Sequence, residues 1–106
     1  MTKPTLEEMT AEMRKRVGLD SGFGHTVKFN FGDDGVIFID AKNVPHVVSN
    51  EDNDAETIVN IKFGDFCKIS DGSKDPTEAF MAGRMTIDGN VDAGWKLGSI
   101  IGPDRA

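Results

Sequence analysis

The chain has 106 residues, 18 acidic against 12 basic side chains, a net charge of −6, and 38% hydrophobic residues. That length predicts one domain with a core that needs no metal or disulfide, and the single cysteine, Cys67, excludes an intrachain bridge. The acidic balance argues against general nucleic-acid binding and against a polybasic membrane-surface module, and no apolar run reaches the roughly 18 residues of a membrane span.

Residues 4–17 read as an amphipathic helix: Pro4 suits a first turn, Glu7 and Glu8 favour the positive helix start, and Leu6, Met9, Met13 and Val17 share one face before Gly18. The only basic cluster, Met13-Arg14-Lys15-Arg16, falls in the last turn, where cations complement the helix dipole. His25 to Phe31 alternates, with Val27, Phe29 and Phe31 on one side, and predicts a strand with one buried face. Gly32-Asp33-Asp34-Gly35 is a turn signal, and Val36 to Asp40 completes an antiparallel hairpin.

Val44 to Ser49 is a weaker strand signal, in which Pro45 argues for an edge position or a strand start. After the polar loop Asn50 to Asp54, Thr57 to Phe63 predicts a strand with Thr57, Val59, Ile61 and Phe63 inward. Asp65 to Ser70 reads as a short helix. Asp75-Pro76 opens another, with Glu78 echoing a capping box and Gly83 ending it. Arg84 to Asp88 predicts the last strand, and Asn90 to Ile101 the last helix. With strands and helices segregated, and no linker or repeat between them, the fold class is α+β over a single domain, residues 1–106.

The last helix is the unusual element. Val91, Gly94, Trp95, Gly98 and Ile101 form one apolar strip, and Ala93, Leu97 and Ile100 a second, so the helix must make contact on more than one side. Gly94 and Gly98 each cost about 1 kcal/mol against alanine in a helix interior. Two readings remain open: close packing onto a sheet, or room for a ligand beside Trp95.

The stretch Gly64-Asp65-Phe66…Asp71-Gly72…Asp75-Pro76…Ala79-Phe80-Met81-Ala82-Gly83-Arg84-Met85-Thr86-Ile87-Asp88-Gly89-Asn90…Lys96-Leu97 resembles the sterol carrier protein 2 domain. His25 to Lys42 also resembles that family's first two strands, and Arg84 stands where the family usually has lysine. Val44 to Ser49 departs from the family's usual Gly-rich segment. The resemblance implies a five-stranded, mostly antiparallel sheet covered by helices, with an apolar tunnel between them. It implies a non-catalytic carrier of a fatty acid, fatty acyl-CoA, sterol or phospholipid. The cavity wall would then include Phe63, Phe66, Ile69, Phe80, Met81, Met85, Trp95, Leu97 and Ile101.

Catalytic signatures are missing from the sequence. His25, His46 and Cys67 lack metal-ligand spacing, and each histidine reads as satisfied or exposed. Ser21, Ser49, Ser70, Ser73 and Ser99 sit in no nucleophile elbow, and Gly22-Phe23-Gly24 precedes a strand instead of following one. Asp52-Asn53-Asp54-Ala55-Glu56 lacks the glycine and the twelfth-position glutamate of a calcium loop. Cys67 reads as a small core filler. Met1 to Arg16 has no secretory h-region, and Gly102 to Ala106 carries no prenylation, retention or peroxisomal signal. The expectation is therefore a cytoplasmic carrier of a lipid or other apolar small molecule, without cofactor, catalytic residue or metal, and without stable membrane insertion. The alternatives are an accessory domain that presents lipid to a partner enzyme, and a cavity-poor interaction module.

Overall fold

The computed structural model describes residues 4–20 and 22–101, with side chains up to Gly98. Helix α1 (Leu6–Val17) begins at a cap supplied by its own first turn. Thr5 Oγ1 accepts from the Glu8 amide at 3.1 Å and the Thr5 amide donates to Glu8 Oε1 at 2.9 Å, a reciprocal capping box. Strands β1 (Thr26–Asn30), β2 (Val36–Asp40), β3 (Val47–Ser49) and β4 (Thr57–Ile61) follow. Helices α2 (Phe63–Ser70) and α3 (Pro76–Met81), strand β5 (Met85–Gly89) and helix α4 (Val91–Ile101) complete the order.

The strands form one sheet in the order β3-β2-β1-β4-β5. Three of its pairings are antiparallel, and β1 with β4 is parallel. Register carries the alternation of each strand across the whole sheet. Val48, Ile39, Val27, Thr57 and Gly89 stand in one row, and Ile37, Phe29, Val59 and Ile87 in the next. These rows face the helices and hold the core, joined from the helix side by Met9, Met13, Phe66, Ala79, Ala93 and Leu97. Thr57 is fully buried, and its hydroxyl donates to the Asn90 carbonyl at 2.9 Å, so no polar group is stranded there.

The opposite face is mixed, with Val36, Phe38 and Ile58 standing among polar side chains. Asn30 Nδ2 donates to Asn60 Oδ1 at 3.0 Å, and Asn60 Nδ2 donates to Asp88 Oδ2 at 2.8 Å, a ladder across β1, β4 and β5. Lys28 in mid-strand reaches Asp52 at 2.8 Å, which fastens the polar loop after β3 to this face.

The helices occupy the apolar face. α1 lies against β3 and α4, α4 against β4 and β5, and α3 against β5. The basic end of α1 does more than complement its dipole. Arg14 Nη2 donates to the Val48 carbonyl at 2.7 Å, and Arg16 Nη1 donates to the Ser70 carbonyl at 3.0 Å and to Ser70 Oγ at 2.9 Å. The two arginines thereby tie α1 to the edge strand and to the end of α2, where helix carbonyls lack intrahelical partners.

The order of elements matches the sequence expectation, and boundaries differ for local reasons. The edge strand starts at Val47 instead of Val44. Asp40 Oδ1 accepts from the amides of Lys42 and Asn43 at 3.1 and 3.3 Å, and His46 Nδ1 meets the Asn43 carbonyl at 2.6 Å. The segment before Val47 is thus wound into a turn, and Pro45 has no amide to give a ladder. Phe63 opens α2 instead of ending β4. At α3, Asp75 Oδ1 accepts from the Thr77 amide at 2.9 Å, so the cap is made at the second helical position and not through Glu78.

Candidate ligand-binding surfaces

The side chains expected to wall a cavity fall into three groups. Phe66, Met85 and Leu97 are buried within the main core. Phe63 and Ile69 are partly buried and pack against that core. Phe66 centres an aromatic cluster, with ring centroids 4.9 Å from Phe29 and 5.0 Å from Phe31, while Phe63 meets Phe31 edge-on at 5.2 Å. Such ring pairs add about 0.5–1.5 kcal/mol each beyond their buried area. The cluster fixes α2 over the end of β1.

Phe80, Met81 and Trp95 form the second group, exposed by 42%, 81% and 36%. Phe80 of α3 and Trp95 of α4 meet edge-to-face with centroids 5.6 Å apart. Val91, one turn before Trp95, is also exposed. Trp95 and Leu97 were expected to share a cavity wall, yet two residues of α-helix turn the chain by about 200°. Leu97 faces the core while Trp95 faces α3 and solvent. Ile101 is the third case: its side chain lies outside the described residues.

The two helix glycines separate cleanly. A Cβ on Gly94 would stand 3.2 Å from Ile87 Cγ2 and 3.5 Å from Thr57 Cγ2, so this glycine lets α4 sit close on the sheet. A Cβ on Gly98 would meet nothing within 4 Å among the described residues. Gly94 fits the packing reading, whereas Gly98 is exposed and does not serve close packing among the described residues.

A further concavity, not anticipated from the sequence, runs between α1 and α2. It is an open groove of about 580 Å³ whose lining includes Met9, Ala11, Cys67, Lys15, Glu12 and Asp71, and none of the nine expected wall residues. Its volume lies within the range of about 300–1,000 Å³ typical of ligand pockets. Cys67 is more than the core filler its sequence context predicts. It packs partly against the core and also faces this groove. The groove side of α1, with Glu8, Ala11, Glu12 and Lys15, reads in sequence as a solvated face, so nothing singles it out before α2 is placed beside it.

The charged residues of the family-like segment act as braces. Asp65 Oδ1 takes a 2.7 Å hydrogen bond from Lys74 and lies 3.7 Å from Arg84, joining α2 to the loop before α3 and the start of β5. The Lys74 hydrogen bond holds the Asp65 carboxyl below its usual range, against the desolvation that would raise it, and the charges of Lys74, Arg84 and Lys68 act the same way. Glu56 is lowered chiefly by its hydrogen bond with His25, 2.8 Å away, and Asp40 chiefly by the Asn43 side chain. Among the described residues, no group of three or more His, Cys, Asp or Glu is placed to hold a metal ion, and no helix is long and apolar enough to cross a membrane.

A five-stranded mixed sheet with its helices on one face defines an α+β fold of the sterol carrier type. The chain belongs to the SCP-2 sterol transfer family, whose model matches residues 6–102. It is 38% identical over 93 residues to the non-specific lipid-transfer protein-like 1 of Caenorhabditis elegans, covering 87% of this chain and 77% of that protein. The solution structure of sterol carrier protein-2 from Aedes aegypti in complex with palmitate, a C16 fatty acid, is 26% identical with a TM-score of 0.68, covering 87% of this chain and 89% of that one. Hydroxysteroid dehydrogenase-like protein 2 of Xenopus tropicalis is 34% identical over 71 residues, 65% of this chain but only 17% of that much longer protein.

Proposed function

We propose that this protein is a non-catalytic carrier that holds an acyl-chain lipid among its helices. The observation that carries the reading is the apolar surface left uncovered between α3 and α4. There Phe80, Met81 and Trp95 stay exposed beside the open space at Gly98. A chain with so few apolar residues would bury these three if packing were their only role. Of the other expected wall residues, Met85 of β5 and Leu97 of α4 are buried in the core, and Phe63, Phe66 and Ile69 of α2 pack into or against it. Methionine at the rim suits chains of varied shape. The similarity to the palmitate-bound Aedes protein supports a fatty acyl ligand over a rigid one. The same reading puts the protein in the cytoplasm, a reducing compartment that suits a chain whose single cysteine can form no intrachain disulfide.

A second reading follows from the Xenopus relative, of which this chain matches only a small part: the domain presents lipid to a catalytic partner. Native mass spectrometry of freshly purified protein tests both. A lipid-sized mass adduct, displaced by added palmitate, is expected for either. Absence of any adduct, together with no saturable change of Trp95 fluorescence on titration with fatty acids, sterols and phospholipids, would overturn both.

A further inference from the structure

The inference drawn here rests on the carrier reading and concerns how the carrier meets its source of lipid. Val91 and Trp95 lie one turn apart on the exposed side of α4, Trp95 meets Phe80 of α3 edge-to-face, and Met81 follows with 81% of its surface in water. We infer that this α3–α4 face docks on a zwitterionic phospholipid surface.

Three observations favour that occupant. The first is size. The four side chains expose on the order of 400 Å², the size of the largest apolar patch on a typical monomer, which is often functional, but about half of the roughly 800 Å² per partner that a stable protein interface buries. A bilayer needs no matching pocket, so a small patch suffices. The second is chemistry. An indole beside a phenyl ring and a flexible thioether matches the amphipathic zone between headgroups and acyl chains, where aromatic rings concentrate.

The third is charge. The exposed ionic residues on α3 and α4 are Glu78, Asp92 and Lys96, with Asp75 at the α3 cap and Arg84 just after that helix. The whole chain carries −6. An anionic surface would repel such a chain, and this mixed rim offers no cationic cluster to reverse that. A headgroup that itself bears one phosphate and one ammonium fits the rim without net repulsion. The molecule has a second exposed apolar set, Leu19, Val44 and Val47, which is aliphatic throughout and provides an internal control.

The test is flotation of the full chain with vesicles of phosphatidylcholine, alone and mixed with phosphatidylglycerol, at low and physiological salt. Trp95 emission is read on the same samples. Expected are co-flotation with pure phosphatidylcholine, a blue shift of Trp95, and no strengthening by phosphatidylglycerol at low salt. Met81→Ser and, independently, Val91→Ser each weaken partitioning, the first about tenfold, since an exposed methionine transfers most of its surface. Leu19→Ser leaves partitioning unchanged. Association that requires phosphatidylglycerol and disappears with salt would overturn the proposal. So would Met81→Ser floating as well as the parent, or a concentration-dependent dimer in sedimentation that Met81→Ser abolishes. Native mass spectra separate the two claims: retained lipid without flotation removes the docking face alone, and flotation of a chain that never carries lipid removes the carrier reading alone.

Discussion

Phe80 and Trp95 meet edge-to-face at 5.6 Å, and they are the only described contact of aromatic rings that joins α3 to α4. Both rings remain partly in water, so the pair is a seam and not part of the core. The single tryptophan therefore reports on this seam. Phe80→Ala should shift Trp95 emission to the red as the indole loses its neighbour, with a stability loss of no more than about 1 kcal/mol because the phenyl ring is only partly buried. Saturable quenching of Trp95 by a bromine-labelled fatty acid should weaken in the same variant. Unchanged affinity would move the ligand away from the seam.

Gly89 is the last residue of β5, opposite Thr57 on β4. Its φ is +87°, and a Cβ there would overlap the Glu56 carbonyl oxygen. That oxygen also accepts from the Asn90 amide at 3.2 Å. Gly89→Ala should destabilise the fold by more than about 2 kcal/mol, since backbone on both sides must move. Denaturant unfolding measures this, and a loss under 1 kcal/mol would show that the β4–β5 edge yields easily.

Asp65 carries a pH dependence whose sign is set by its lowered pKa. A carboxylate held below its unfolded value near 3.9 contributes its full stability above that pH and loses it as pH falls through the lower folded value. Acid unfolding of the protein should steepen below about pH 4. Asp65→Asn should cost about 1–3 kcal/mol at neutral pH, because Lys74 loses its charged acceptor at a site where the Asp65 side chain is only 10% exposed. The same variant should flatten the acid slope. A slope unchanged from the parent would assign acid sensitivity to the other lowered carboxylates, Asp40, Glu56 and Asp71.

Most of the fold was legible in alternation and punctuation. Val27, Phe29 and Phe31 announced a half-buried strand, Gly83 and Gly89 announced stops, and Asp75-Pro76 announced a helix start. The β1–β4 parallel pairing was not legible, because it joins residues about 30 apart with no local signature. The capping box at Thr5 and Glu8 has a sequence signal in its spacing, which Pro4 between the terminus and Thr5 masks as a simpler helix start. The site was less legible than the fold. Periodicity grouped Trp95 with other apolar residues of α4, but only the position of α3 decides that Trp95 faces outward while Leu97 faces in. Arg14 and Arg16 illustrate the same limit, since a dipole argument explains their place on α1 but not the distant carbonyls they reach.

The groove between α1 and α2 offers a competing location for ligand, and one substitution distinguishes it. Ala11 is exposed on α1 and lines the groove. Ala11→Phe keeps the helix at a propensity penalty of under about 1 kcal/mol and fills much of the cleft. It adds no tryptophan to confuse the Trp95 signal. Fatty-acid affinity should stay within about twofold of the parent if acyl chains lie along α3 and α4, a change well under 1 kcal/mol. A tenfold loss would transfer the site to the groove.

Gly94 and Gly98 should respond oppositely to the same change, because they differ in surroundings and not in helix position alone. Ala at 98 adds a methyl group to open space and removes backbone freedom from the unfolded chain, so Gly98→Ala should stabilise by up to about 1 kcal/mol, with a Tm rise of a few degrees. Ala at 94 must push Ile87 aside, which offsets the helix gain and leaves the variant neutral or weaker. If the space at Gly98 holds part of a lipid, Gly98→Ala should bind fatty acid more weakly while melting higher, and Gly98→Leu more weakly still. Stability and affinity that rise together at 98 would mean that the space is empty in the loaded protein, and that α4 carries its second glycine for a reason unrelated to ligand.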